Sequence, residues 1–177
     1  MTALVELRGR AIWCDFGGVL TPPVAVTVAA FCARVGAPAP VLMTAMAAVA
    51  SRFGTSDLME PLDTPLISEV EWSALMEAEV RQRFGLSVDL SNFAERWFAN
   101  REPNVELAVH LKELRVRGHF VGMLSNMVPS WDPYWRAMVP PEGLFDDVVM
   151  SFEVGSRKPQ PAIYALAAKR AQLPPEA

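Results

Sequence analysis

The feature that most constrains this chain is a short apolar run, Ala11–Cys14, that ends abruptly in Asp15-Phe16-Gly17-Gly18. Four apolar residues cut off by a glycine pair read as a buried strand running into a tight turn. The next such run, His119–Leu124, comes roughly 100 residues later, far more chain than one crossover needs. A helix expected over Val105–Arg117 precedes it, with Gly118 where a helix ends. A third strand is expected over Val148–Ser151 after the turn-like Pro140–Gly143, then a helix over Pro161–Ala171 with Ile163, Tyr164, Leu166 and Ala167 on or near one face. Strands alternating with helices specify an α/β fold with a Rossmann-like parallel sheet.

The long interval between the first two strands reads as helical. Val24–Val35 follows a proline pair, Pro40–Phe53 is rich in Ala and Met, Ser68-x-x-Glu71 is a capping box opening a helix to Phe84, and Asn92–Phe98 is a shorter piece. Four helices in one crossover predict a small helical cap, with Met43, Met46, Trp72, Met76 and Trp97 as its core. The expected organisation is core over residues 1–21, cap over 22–100 and core again over 101–177.

Composition narrows the function. Hydrophobic residues make up 51% and charged residues 20%, which is globular and not disordered. The net charge of −4 and the lack of a basic stripe argue against nucleic acid as a partner. No apolar run is long enough to span a bilayer, and the N-terminus lacks the order of a secretory signal, so no membrane partner and a cytoplasmic location are expected. Cys14 and Cys32 offer neither a disulfide framework nor metal spacing, and Cys14 reads as a buried structural thiol. A homodimer stays open.

Ligands of open parallel sheets bind beyond the carboxyl ends of the strands. Those ends carry Asp15, then Ser125-Asn126, and the loop after the third strand carries Arg157-Lys158-Pro159. Each alone fits a cap or turn; together they make a candidate site.

In that order the three runs resemble the motifs of the haloacid dehalogenase-like (HAD) superfamily: IWCDFGGVLT the first, VGMLSNM the second and VGSRKPQPAIY the third. Within it, the chain looks most like sugar-phosphate phosphatases and the phosphatase domains of epoxide hydrolases. The resemblance implies Asp15 as nucleophile, with Ser125 and Lys158 stabilising charge on a transferring phosphoryl group. It implies substrate contacts from Phe16, Gly17, Gly18 and Asn126, and a Mg²⁺ ion on the Asp15 carboxylate and the Gly17 carbonyl. The substrate class it implies is a small phosphorylated metabolite.

Two departures qualify this. Position 17 holds glycine where most such phosphatases have a second, proton-donating Asp, a contribution of about 10²–10⁴-fold in rate. The acidic fourth motif expected after the third-motif helix is absent from Pro174-Pro175-Glu176-Ala177, so the C-terminal part of the core is expected to be missing and the natural product longer. Asp146-Asp147 precedes the third strand and is expected in a surface turn, not as a substitute. A metal-independent dehalogenase-like hydrolase and a noncatalytic binding or scaffold module remain alternatives to the Mg²⁺-dependent phosphoesterase.

Overall fold

A computed structural model describes residues 10–172. The described residues divide into two compact units, one comprising residues 10–22, Glu102–Asn126 and 135–172, the other Pro23–Arg101 with Met127–Tyr134. The sequence boundaries put all of 101–177 in the core, whereas Met127–Tyr134 groups with the helical unit.

The first unit is built on a parallel sheet in the order β1 (Ala11–Cys14), β2 (Phe120–Ser125), β3 (Asp147–Met150). In register, Cys14 lies opposite Met123 and Ser125 opposite Met150, so Asp15 and Ser125 leave the same end of neighbouring strands. The middle strand β2 is buried from Val121 to Ser125, as a central parallel strand covered on both faces must be. Its predecessor helix, Val105–Val116, packs on it, with Leu111 buried. The helix Pro161–Ala171 contacts all three strands, and Ile163 and Ala167 close on Leu124 and Val149 with Trp13 at the margin. The apolar face of that last helix is therefore covered by the three strands described.

Several expectations are corrected. Tyr164 is 47% exposed and belongs to the outer side of its helix. Asp147 is not in a turn: it opens β3 opposite Gly122, with its carboxylate on Arg170. Asp146, just before it, pairs with Arg115 and also accepts from the Val121 N–H at 2.9 Å. Both stand at the amino end of β3, away from the end that carries Ser125. The short helices Asp132–Met138 and Ser151–Val154 have no counterpart in the sequence reading. Residues 173–177, the position at which a fourth motif is expected, lie outside the described residues.

The helical unit follows the sequence closely. Its helices are Val24–Val35, Ala39–Arg52, a single turn at Glu60–Asp63 that patterning does not reveal, Glu69–Phe84 and Phe93–Phe98. Ser68 and Glu71 form the capping box, and Gly85 closes the helix with φ +66°. Trp72 and Met76 are buried, but Met43 is 52% exposed and plays no part in the core. An aromatic cluster organises the unit: Phe93 meets Phe31 at 4.5 Å, stands edge-on to Trp72 at 5.3 Å and stacks on Trp131 at 6.0 Å. The Glu69 carboxylate accepts from Trp131 Nε1 and Ser130 Oγ, both at 2.7 Å, which ties Met127–Tyr134 into this unit. Among the described residues no single helix is long and apolar enough to cross a membrane; only the bent pair Val24–Val35 and Ala39–Arg52 passes by length and composition together.

Gly122 shows how tightly the sheet is packed. A Cβ there would come within 2.5 Å of the Trp13 ring, which also lies 5.3 Å from Phe120. Overpacking of this kind costs about 1–3 kcal/mol. Gly122→Ala is expected to lower the unfolding free energy read from urea denaturation by that amount, and an unchanged midpoint would show that Trp13 moves aside freely.

Candidate active site

Three chain segments deliver the site to the carboxyl ends of β1 and β2. Asp15 follows β1 directly and caps the helical turn Phe16–Leu20, with its Oδ1 accepting the Phe16 N–H at 2.7 Å. Ser125, the last residue of β2, donates its hydroxyl to the same Oδ1 at 3.0 Å. Lys158 reaches it from the loop between Ser151–Val154 and Pro161–Ala171, with Nζ 2.9 Å from Oδ1. All three donors thus converge on one carboxylate oxygen. The Asp15 side chain is 42% exposed, and its second oxygen receives none of these three donors.

The turn after Asp15 is shaped by its glycines and by Thr21. Gly18 has φ +78°, a conformation that favours glycine, while Gly17 is extended at φ −71°, ψ 119°. The buried Thr21 hydroxyl accepts from the Gly18 N–H at 3.2 Å and donates to the Phe16 carbonyl at 3.3 Å. Asn104 ties down the far end of the turn: its N–H donates to the Leu20 carbonyl at 2.8 Å and its amide to the Val19 carbonyl at 3.2 Å. Its Oδ1 meanwhile caps the helix that follows.

The remaining expected site residues divide by what they touch. The Phe16 side chain is buried edge-on against Trp135, 6.3 Å between ring centres, and its N–H is engaged by Asp15. Gly18 likewise has its N–H on Thr21. Asn126 faces Lys158: it donates Nδ2–H to the Lys158 carbonyl at 2.9 Å and accepts the Lys158 N–H on Oδ1 at 2.8 Å. Thr21 and Asn104 were not singled out from sequence, although Thr21 ends the first motif run and Asn104 sits at a helix start, where an N-cap is a standard expectation.

Asp15 and Gly17 are the two expected metal-bearing positions, and among the described residues no group of three or more His, Cys, Asp or Glu is arranged to hold a metal ion. Mg²⁺ is commonly held by one or two carboxylates together with waters and substrate phosphate. The half-exposed Asp15 carboxylate suits that partial mode.

No protein-family model matches the sequence, and no curated protein matches it. Solved structures do. A HAD family enzyme from Bacteroides thetaiotaomicron, in complex with magnesium and inorganic phosphate, superposes with a TM-score of 0.59 at 17% identity, over 93% of this chain and 80% of that one. A HAD-like family hydrolase from Porphyromonas gingivalis gives 0.62 at 20% identity, over 96% and 79%. An L-2-haloacid dehalogenase gives 0.61 at 23% identity, over 94% and 74%. The fold shared with these proteins is the α/β fold of HAD-like hydrolases.

Cys14 marks the polarity of this end of the sheet. Burial, and secondarily the Asp15 carboxylate, push its thiol up to about 11, against a smaller opposing pull from Lys158. Since the thiolate is the nucleophile, alkylation of Cys14 at pH 8.5 is expected to run at least about 100-fold slower in the native than in the denatured chain. Equal rates would contradict a neutral, buried thiol.

Proposed function

We propose that this chain, which carries the fold of HAD-like hydrolases, is a Mg²⁺-dependent phosphoesterase that cleaves a small phosphorylated metabolite through an aspartyl-phosphate on Asp15. The observation that supports it is the convergence of Phe16 N–H, Ser125 Oγ and Lys158 Nζ on a single oxygen of a half-exposed carboxylate. A carboxylate held in this way is oriented without being consumed, which is what a nucleophile needs.

The free oxygen of Asp15 attacks phosphorus, the bond to the leaving oxygen breaks, and the departing alkoxide is protonated by water, since position 17 has no acidic side chain. A second water then attacks phosphorus, the bond to Asp15 breaks with its electron pair returning to the carboxylate, and inorganic phosphate leaves with the proton passing to solvent. Lys158 carries three N–H donors, of which the Asp15 contact needs one, so the ammonium also serves the phosphoryl oxygens. The Asp15 carboxylate and the Gly17 carbonyl would hold Mg²⁺, which when bound would neutralise charge between carboxylate and phosphate. Both cysteines are free thiols, which suits the cytoplasmic setting of such substrates.

The missing acid at position 17 leaves a second reading open, although glycine itself does not match the dehalogenases. A halide leaves without a proton, and the shared fold with an L-2-haloacid dehalogenase fits a metal-independent hydrolase in which Asp15 attacks carbon, halide departs and water cleaves the ester. Halide release from a 2-haloacid with no metal added distinguishes it.

For the phosphoesterase, hydrolysis of an aryl phosphate with Mg²⁺ is expected, abolished by Asp15→Asn and lowered about 10²–10³-fold in kcat by Ser125→Ala. Because an aryloxide needs little help to leave, alkyl phosphates are expected to turn over more slowly, by a factor approaching the value of the missing acid, about 10²–10⁴. Wild-type protein with no hydrolysis in Mg²⁺, or an Asp15→Asn variant with full activity, overturns the proposal.

A further inference from the structure

We infer that Asn126 is a positioning residue whose side-chain amide sets where the Lys158 ammonium stands. Its bearing on catalysis rests on the phosphoesterase reading; the positioning itself does not. Both functional ends of the amide are engaged by the peptide groups of one residue: Nδ2–H donates to the Lys158 carbonyl at 2.9 Å, and Oδ1 accepts the Lys158 N–H at 2.8 Å. Asn126 therefore pairs with Lys158 as a neighbouring strand would, although the two are 32 residues apart and Lys158 lies in no strand.

Lys158 needs such a partner. It sits between Gly155 and Gln160, in a loop joining two helices. The loop's own hydrogen bonds serve its neighbours: Gln160 accepts from Ser156 Oγ and from the Arg157 N–H on Oε1, and the Gln160 N–H donates to the Arg157 carbonyl. Asn126 supplies the bonds to the Lys158 peptide itself. A lysine side chain has four rotatable bonds, so a fixed root sets the point from which Nζ must reach Asp15.

The end of β2 therefore acts twice. Ser125 touches the Asp15 carboxylate directly, and the next residue fixes the backbone of the cation that touches the same oxygen. An amide suits this second task, because it offers one donor and one acceptor side by side. An aspartate at 126 would keep the acceptor for the Lys158 N–H but set a carboxylate oxygen against the Lys158 carbonyl. This moves Asn126 from the substrate contact expected from sequence to a role exerted through Lys158.

The test is ¹⁵N NMR of lysine Nζ groups in the full chain, with the Lys158 signal assigned by its loss in Lys158→Arg. An ion-paired ammonium held in place exchanges slowly enough to give a cross-peak, and wild type is expected to show one. Asn126→Ala is expected to lose it while the backbone amide signals of β2 and β3 persist. Asn126→Asp, nearly identical in size, decides the matter if the alanine variant does not fold, with the same loss expected. A Lys158 cross-peak retained in a folded variant, or missing in wild type, overturns the inference. A peak present in wild type and lost in the Asn126 variants, in a protein that hydrolyses no phosphate ester, would overturn the phosphoesterase and leave the positioning intact.

Discussion

One oxygen of Asp15 holds this end of the molecule together. It receives a local N–H from Phe16, a hydroxyl from the end of β2 and an ammonium from the loop before the last helix, so three distant stretches of sequence are bound to one atom. The contacts do little for stability. The Lys158 side chain is 22% exposed and Asp15 42%, and ion pairs so open to water contribute about 0–1 kcal/mol. Their effect is on geometry, since an oxygen pinned by three donors leaves the other oxygen of the same carboxylate with a defined direction.

The rest of the unit serves that arrangement. Parallel register sends Asp15 and Ser125 out of the same edge of the sheet. The Trp13 ring occupies the space that Gly122 leaves open on the neighbouring strand, two residues before Asp15. Thr21 and Asn104 close the turn beyond Asp15 from within and from outside. A loosened turn would move the carboxylate, and with it the atom on which Ser125 and Lys158 converge.

Much of this was legible in the sequence because it rests on local signals. The capping box at Ser68 and Glu71, the αL glycine at 85 and the apolar run before Asp15 depend on residues within a few positions of each other, and each stands where patterning puts it. The three polar strand ends were legible through their order. What patterning missed is either short or tertiary. The single turn at Glu60–Asp63 and the helix Ser151–Val154 are too brief to show a period. Met43 and Tyr164 are apolar residues whose helices turn them outward, and composition alone does not report which way a helix faces. Asp147 joined a strand because its backbone pairs with β2, despite a side chain with low strand preference. Asn126 next to Ser125 looked like a substrate ligand; only the fold shows that its partner is 32 residues away.

The shared fold with both a magnesium- and phosphate-bound HAD family enzyme and an L-2-haloacid dehalogenase leaves the nature of the electrophile to chemistry and not to architecture. In the proposed reaction Asp15 presents one oxygen to phosphorus while the other is held. Beryllium fluoride forms an adduct on a carboxylate that mimics the aspartyl-phosphate, and ¹⁹F NMR in the presence of Mg²⁺ reads it directly. A bound resonance that appears with wild type and vanishes in Asp15→Asn is the expected result. No bound resonance, or one that survives in Asp15→Asn, would contradict the account.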